Sequence, residues 1–127
     1  MFELTQSFKF DAAHTLERQI ETESSRRMHG HSYEAEVTVA GKPDPVSGMV
    51  TDLGLLRQEL SRVREQLDHR FLDEVVELRQ LGPPTLETLC LFIARELVHT
   101  GTLSTVRVSR PSTGDSCLFR VPLPVIA

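Results

Sequence analysis

The chain has 127 residues, of which 39% are hydrophobic and 25% charged, a balance that predicts one globular domain over residues 1–127. Its formal net charge of −4 and scattered basic residues argue against a nucleic-acid partner. No stretch approaches the roughly 20 apolar residues of a membrane span and the start lacks a signal-peptide pattern, so we expect a cytoplasmic protein without membrane contact.

Alternating apolar residues predict a strand in each of the first two ordered segments. In residues 1–10 the even positions hold Phe2, Leu4, Phe8 and Phe10, with Gln6 as the exception. Residues 15–28 are polar without a sustained period and predict an exposed loop. The next alternating run predicts a second strand whose apolar face comprises Tyr33, Ala35, Val37 and Val39.

Two helices and two further strands are predicted in the rest of the chain. Leu53, Leu56, Leu60, Val63 and Leu67 recur at helical spacing after Asp52, a suitable N-cap. The second helix begins at Thr85 as N-cap, carries Glu87 in its first turn and ends at Gly101. Strands follow around Val106 and around Phe119. This order (ββααββ) predicts an α+β fold, an antiparallel sheet with both helices on one face.

Three histidines are candidate metal ligands. His29 and His31 share the parity of the apolar face of the second strand, and His14 shares the parity of Phe8 and Phe10 on the first. Pairing of these strands would bring three imidazoles together at one end of the sheet. Three neutral imidazoles suit Zn²⁺ and leave its fourth position open for a substrate. The alternative is that they are ordinary polar residues at the end of the sheet, since the pattern H-x-H by itself often occurs by chance.

Asp68 and His69 are adjacent just after the first predicted helix. A carboxylate beside an imidazole fixes its tautomer and suits proton transfer near neutral pH. The alternative is a solvated helix C-terminus at which His69 interacts with the helix dipole. Glu87 has an equally plain interpretation as a carboxylate at a helix N-terminus.

Five segments together resemble a known family. FDAAH, HGHSYEAEVTVAG, GMVTDLGLL, LDHRFLD and PTLETL occur in the order and approximate spacing of the 6-pyruvoyl-tetrahydropterin synthase family, which includes the 6-carboxytetrahydropterin synthases of queuosine biosynthesis. The resemblance implies a tunnelling fold, with a four-stranded antiparallel sheet and two helices on one face. It also implies homo-oligomers, as trimers whose sheets form a barrel, commonly stacked as hexamers.

The resemblance also implies roles for individual residues. By it, His14, His29 and His31 correspond to zinc ligands, and Asp68 with His69 to a proton-relay pair. The family's zinc binds the side-chain hydroxyls of 7,8-dihydroneopterin triphosphate. Candidate substrate contacts are Arg26, Arg27, Thr85, Glu87 and Arg110. The first two arginines would meet the triphosphate, or they are ordinary loop residues.

The chain departs from the family pattern in the loop before HGH. In the family a cysteine of this loop is the catalytic base, and residues 15–28 of this chain contain no cysteine. Ser25 stands four residues before His29, and Glu23 stands six before it. A serine hydroxyl has a pKa far too high to remove protons unaided, whereas Glu23 can serve if burial raises its pKa. The alternative is that both are surface residues.

A second departure lies near the end of the chain. The family has a glutamate in a V-x-E-T pattern that anchors the pterin ring, and this chain reads VRVSRPSTGDS with Arg110 at that position. A guanidinium only donates hydrogen bonds, so it cannot replace an acceptor. Asp115 can approach from the following turn, although the spacing does not favour it, or Arg110 can meet a carboxylate or phosphate on another ligand.

Together with the three histidines, the resemblance implies a zinc-dependent lyase that acts on 7,8-dihydroneopterin triphosphate or a related pterin. The alternative is a paralog that keeps the fold and the metal but has lost the reaction or changed its ligand. The missing cysteine and the arginine at position 110 motivate that alternative.

Overall fold

Residues 1–122 are described by the computed structural model, and their strands form one sheet. The strands are β1 (Phe2–His14), β2 (His29–Gly41), β3 (Arg70–Phe71), β4 (Leu103–Arg110) and β5 (Asp115–Arg120). They lie in the order β3-β1-β2-β4-β5. Neighbouring strands are antiparallel, except that β3 runs parallel to β1.

Two long helices and several shorter helical turns accompany the sheet. The helices are α1 (Thr22–Arg26), α2 (Leu53–Leu67), α3 (Val76–Arg79) and α4 (Leu86–Leu97), with 3₁₀ turns at Leu72–Glu74 and Val98–Thr100. Asp52 caps α2 by accepting from the Gly54 N–H at 2.8 Å, and Thr85 caps α4 by accepting from the Thr88 N–H at 3.2 Å. Both caps confirm the sequence-based predictions. None of the helices within residues 1–122 has the length and apolar content to cross a bilayer.

The core lies between one face of the sheet and the helices α2 and α4. Side chains of β2 alternate between that core and the open face, which confirms the predicted period of two. On α2 the predicted apolar stripe is buried at Leu56, Leu60, Val63 and Leu67. Burial of these side chains is the main stabilising contribution to the fold.

The prediction of four antiparallel strands and two helices is incomplete. A fifth strand, β3, pairs parallel to the end of β1, with Ala12 beside Arg70 and Ala13 beside Phe71. The chain turns into β3 at His69, whose backbone φ of 58° lies in the left-handed region that follows many helix C-termini. Two residues are too few to show a period of two, so the sequence pattern carried no signal for this strand.

Candidate metal centre and active site

The pairing of β1 with β2 brings the three predicted ligands together. The register sets His14 opposite His29 and Ala12 opposite His31, and the ladder continues to the last residue of β1. His31 therefore lies diagonal to His14 on the same face of the sheet. Ring centroids are 4.5 Å apart for His14 and His29, and 4.9 Å apart for the other two pairs.

Backbone carbonyls fix the tautomers of two of these rings. The Nδ1–H of His14 donates to the Pro84 carbonyl at 2.9 Å, and the Nδ1–H of His29 donates to the Arg27 carbonyl at 2.8 Å. A carbonyl only accepts hydrogen bonds, so the Nδ1 atoms carry the protons and each Nε2 presents a lone pair. These two Nε2 atoms lie 2.9 Å apart. Two lone pairs at that separation repel unless a cation lies between them.

The donor set fits a divalent metal ion. The Nε2 of His31 is buried and has no hydrogen-bond partner among the described residues. One nitrogen from each ring lies within 4.8 Å of the others. Two imidazole nitrogens bound to one tetrahedral ion, with metal–nitrogen bonds of about 2.0–2.1 Å, would lie roughly 3.4 Å apart. This is close to the 2.9 Å between the Nε2 atoms of His14 and His29. Burial, and then the neighbouring His14, lower the pKa of His31 to about 4, which favours the neutral form that binds metal.

Residues distant in the sequence hold His14 in place. Asp73 accepts from the backbone N–H of Thr15 at 3.0 Å and from the Thr15 hydroxyl. This contact fixes the chain at the residue after His14, while Pro84 orients the ring. Neither Asp73 nor Pro84 was identified from the sequence. Nothing in a local pattern marks them, because they lie 58 and 70 residues beyond their partners.

A polar cavity of about 460 Å³ opens beside the histidines. The side chains that line it include His29, His31, Ser25, Arg18, Arg110 and Asp115. The cavity gives a ligand access to the His29 and His31 side of the cluster, while His14 lies buried behind it. Such an arrangement suits a metal ion that keeps one coordination position open to a ligand.

The candidate loop residues lie in different environments. Ser25 is buried in α1, lines the cavity and accepts from the Leu16 N–H through its carbonyl. The Glu23 side chain is 85% exposed and pairs with Arg27 at 2.6 Å. Arg26 is also exposed and pairs with Glu17. Glu23 therefore lacks the burial on which its role as a base depends.

Asp68 and His69 form the contact that the sequence left open. The Asp68 carboxylate lies 2.9 Å from His69 Nδ1 and 3.0 Å from the Arg64 guanidinium, and it accepts from the Asp11 N–H at 2.9 Å. The Asp11 N–H, and then His69 and Arg64, hold the pKa of Asp68 below its usual range. The carboxylate stays ionised and keeps the proton of His69 on Nδ1, so Nε2 faces outward as an acceptor.

His69 and the metal cluster border a common open cavity. His31 and His69 both line a cavity of about 540 Å³, which is also lined by Ala12, Ala13 and Gly30. The two groups are nevertheless separate clusters of possible ligands within residues 1–122. A ligand held at His31 can therefore extend towards His69 without His69 being part of the metal centre.

Arg110 and Asp115 form a cross-strand pair at the edge of the cavity. They lie opposite each other where β4 turns into β5, and Arg110 Nη2 donates to Asp115 Oδ2 at 3.1 Å. Thr113 donates to the same carboxylate oxygen at 2.9 Å. Asp115 reaches the cavity because the hairpin folds back on β4, which linear spacing does not reveal.

Thr85 and Glu87 lie away from both cavities. The hydroxyl of Thr85 is engaged in capping α4, and Glu87 is exposed in the first turn of that helix. Neither side chain is among those lining the two cavities. Their substrate-binding roles stay predictions.

Comparison with known proteins identifies similar sequences and folds. The family model described as 6-pyruvoyl tetrahydropterin synthase matches residues 3–120. A 6-carboxy-5,6,7,8-tetrahydropterin synthase of Synechocystis is 31% identical over 126 residues, which cover 94% of each chain. A dihydroneopterin monophosphate aldolase of Pyrococcus furiosus is 31% identical over 114 residues, which cover 90% of each chain. The solved structure of Caenorhabditis elegans 6-pyruvoyl tetrahydropterin synthase superposes with a TM-score of 0.80 at 26% identity, covering 95% of this chain and 96% of that one.

Other relatives match over a shorter region. A putative 6-pyruvoyl tetrahydrobiopterin synthase of Caenorhabditis elegans is 41% identical over 69 residues, which are 54% of this chain and 49% of the relative. The match thus spans about half the length of that relative. The names of these proteins describe different reactions on pterins, so similarity alone leaves the product of this chain open.

Proposed function

This chain belongs to the 6-pyruvoyl tetrahydropterin synthase family, and from that premise we propose that it is a zinc-dependent lyase acting on 7,8-dihydroneopterin triphosphate or a related pterin. One observation carries the proposal: three imidazole nitrogens converge, two of them with lone pairs facing each other, beside an open cavity. A metal ion bound between these nitrogens would relieve the repulsion of the two lone pairs.

His14, His29 and His31 would hold the zinc. When bound there, zinc would supply Lewis acidity, which makes a substrate hydroxyl easier to deprotonate. The carbonyls of Pro84 and Arg27 keep the rings of His14 and His29 in the ligating tautomer.

His69 is the group best suited to accept the proton. Its Nδ1–H is held by Asp68, so its Nε2 is free, and it faces the cavity that it shares with His31. Ser25 lines the polar cavity beside His29 and His31, where its hydroxyl can donate to substrate oxygens without acting as the base. Arg26 and Arg27 remain exposed candidates for contacts with the triphosphate end.

The test is turnover by zinc-loaded protein. The substrate is 7,8-dihydroneopterin triphosphate, and the readouts are released triphosphate and the pterin products by mass spectrometry. We expect His69→Gln to lower kcat by roughly 10²–10⁴-fold with zinc content unchanged. His99→Gln is the matched control, because His99 is exposed and pairs with Glu59 outside the site. Absence of turnover at high enzyme concentration would reject the lyase.

A second candidate is a paralog of altered specificity that binds metal and ligand without this reaction. Two observations favour it: the exposure of Glu23 and the presence of Arg110 where an acceptor is expected. Calorimetry across a pterin panel separates the two candidates. Binding without conversion supports the paralog, and conversion of a bound pterin excludes it.

We also propose a homo-oligomer, a trimer or hexamer. β1 is paired along its outer edge only at Ala12 and Ala13, and the outer edge of β5 has no partner strand among residues 1–122. Exposed strand edges favour pairing with another chain, and different edges at the two sides of a sheet allow a closed ring. Light scattering coupled to size exclusion measures the state, and a monomer at micromolar concentration would contradict the proposal.

A further inference from the structure

Arg110 is a buried cation that lines the polar cavity of about 460 Å³ beside the histidines. It is 8% exposed, and its Nε is shut off from solvent with no hydrogen-bond partner among the described residues. Its one carboxylate partner, Asp115, is itself 52% exposed. A guanidinium has five N–H donors and cannot be deprotonated in proteins, so this site leaves a desolvated positive charge with few acceptors.

The charges around the cavity would favour a further anion once a metal is bound. Arg18 pairs with Glu21 at 3.7 Å and Arg110 pairs with Asp115, so the cavity's own charges cancel. The three histidines are neutral as ligands. A divalent ion would then add two uncompensated positive charges next to Arg110.

We propose that Arg110 and the metal centre form a two-point site for a ligand that carries a carboxylate or phosphate near its metal-binding oxygen. The inference rests on the metal-dependent function proposed above. It narrows the substrate class of that function to ligands with an anionic group between Arg110 and the three histidines. The guanidinium donates to two oxygens of such a group in a planar fork. Arg110 is thus a specificity-determining residue.

Calorimetry with zinc-loaded protein tests the proposal. Two matched pairs of probes differ in the charge of one group: pterin-6-carboxylate against 6-hydroxymethylpterin, and neopterin monophosphate against neopterin. We expect at least one anionic member to bind the wild type about tenfold or more tightly than its neutral match. The pair that shows this preference distinguishes a carboxylate from a phosphate ligand.

Arg110→Gln removes the guanidinium charge and should reduce the preference for the anionic member about tenfold, because only the metal then attracts the anionic group. Arg107→Gln is the matched control, because Arg107 lies on the opposite face of β4 and contacts Ser116 at 3.4 Å. It should leave the preference unchanged. Equal binding within both pairs by the wild type, or a preference that Arg110→Gln leaves unchanged, would overturn the inference.

Two further measurements separate other causes of failure. If no pterin binds, the proposed function fails, and oxalate then tests Arg110 with a ligand that has no pterin ring. Roughly tenfold weaker binding of oxalate to Arg110→Gln supports the subsite, and equal binding overturns it.

If Arg110→Gln does not fold, Arg110→Lys keeps the charge but loses the planar fork. It should lose part of the preference, about three- to tenfold, and an unchanged preference contradicts the proposal.

Discussion

His14 Nε2 and His29 Nε2 lie 2.9 Å apart. Both atoms present lone pairs, because the Nδ1–H of each ring donates a hydrogen bond to a backbone carbonyl. A shared cation would relieve their repulsion, and the unpartnered Nε2 of His31 would complete its ligand set. The proposed metal centre is therefore supported by the hydrogen bonds of the rings as well as by the identity of the side chains.

The first prediction concerns metal content. Protein purified without a histidine tag should hold about one zinc per chain, and His31→Gln should hold less than about a tenth of that. At free zinc of 100 times Kd, the wild type should gain about 2.7 kcal/mol in the free energy of unfolding, a gain that the variant lacks. Elemental analysis and thermal unfolding measure these effects. His99→Gln is the control, and full metal retention by His31→Gln would remove His31 from the ligand set.

The second prediction concerns pH and the ion pair of Asp68. Its folded pKa is lowered, so the folded chain binds this proton less readily than the unfolded chain. The carboxylate's contribution to stability is therefore complete above the unfolded pKa of about 3.9 and is lost as pH falls through the lower folded value. Asp68→Asn keeps an acceptor for the Asp11 N–H but removes the charge.

Urea unfolding of wild type and Asp68→Asn from about pH 7 to about pH 2 measures that contribution. We expect the difference in free energy of unfolding to be constant above about pH 5 and to shrink below about pH 4. The same variant should lower kcat, because His69 loses the partner that fixes its tautomer. A stability difference that stays constant down to about pH 2 would show that the ion pair does not stabilise the fold.

The third prediction concerns the buried stripe of α2. Leu67 is fully buried at the end of the helix that leads into Asp68 and His69, whereas Leu55 on the same helix is 60% exposed. Leu67→Ala should lower the free energy of unfolding by about 2–5 kcal/mol, since it removes contacts and leaves a cavity. Leu55→Ala should change it by less than about 0.5 kcal/mol. Equal effects in urea unfolding would contradict the helix orientation.

Local patterns predicted the long elements and the shared face of the histidines. A period of two assigned His29 and His31 to the core side of β2, and helical spacing with a cap residue assigned α2 and α4. Parity allowed His14 to join them, but the contact itself depends on the pairing register of two 13-residue strands. Register is a property of the folded sheet, so the trio was a prediction until the strands were paired.

Other parts of the site depend on contacts that short sequence windows do not contain. The turn at His69 directs two residues into β3, and the hairpin after Arg110 brings Asp115 back to the cavity. Asp73 holds the end of β1 from a position 58 residues away. Each case combines an irregular backbone segment with a long-range contact, for which no hydrophobic period exists.

The fourth prediction concerns the reactivity of the two cysteines. Cys90 lies buried under the sheet, with its Sγ 3.7 Å from the Val106 carbonyl and 3.5 Å from the Cys117 carbonyl. Burial, and then the neighbouring Cys117, raise the pKa of the Cys90 thiol to about 12. Its thiolate fraction at about pH 8 is then on the order of 10⁻⁴, which makes it a poor nucleophile.

Iodoacetamide at about pH 8 should therefore modify the half-buried Cys117 in the native protein and leave Cys90 intact until urea unfolds the chain. Peptide mass spectrometry measures both sites. In Cys117→Ser the protection of Cys90 should persist, because burial remains the larger cause of its raised pKa. Alkylation of Cys90 in the native protein at the rate of a free thiol would mean that α4 opens from β4 and β5 on the timescale of the reaction.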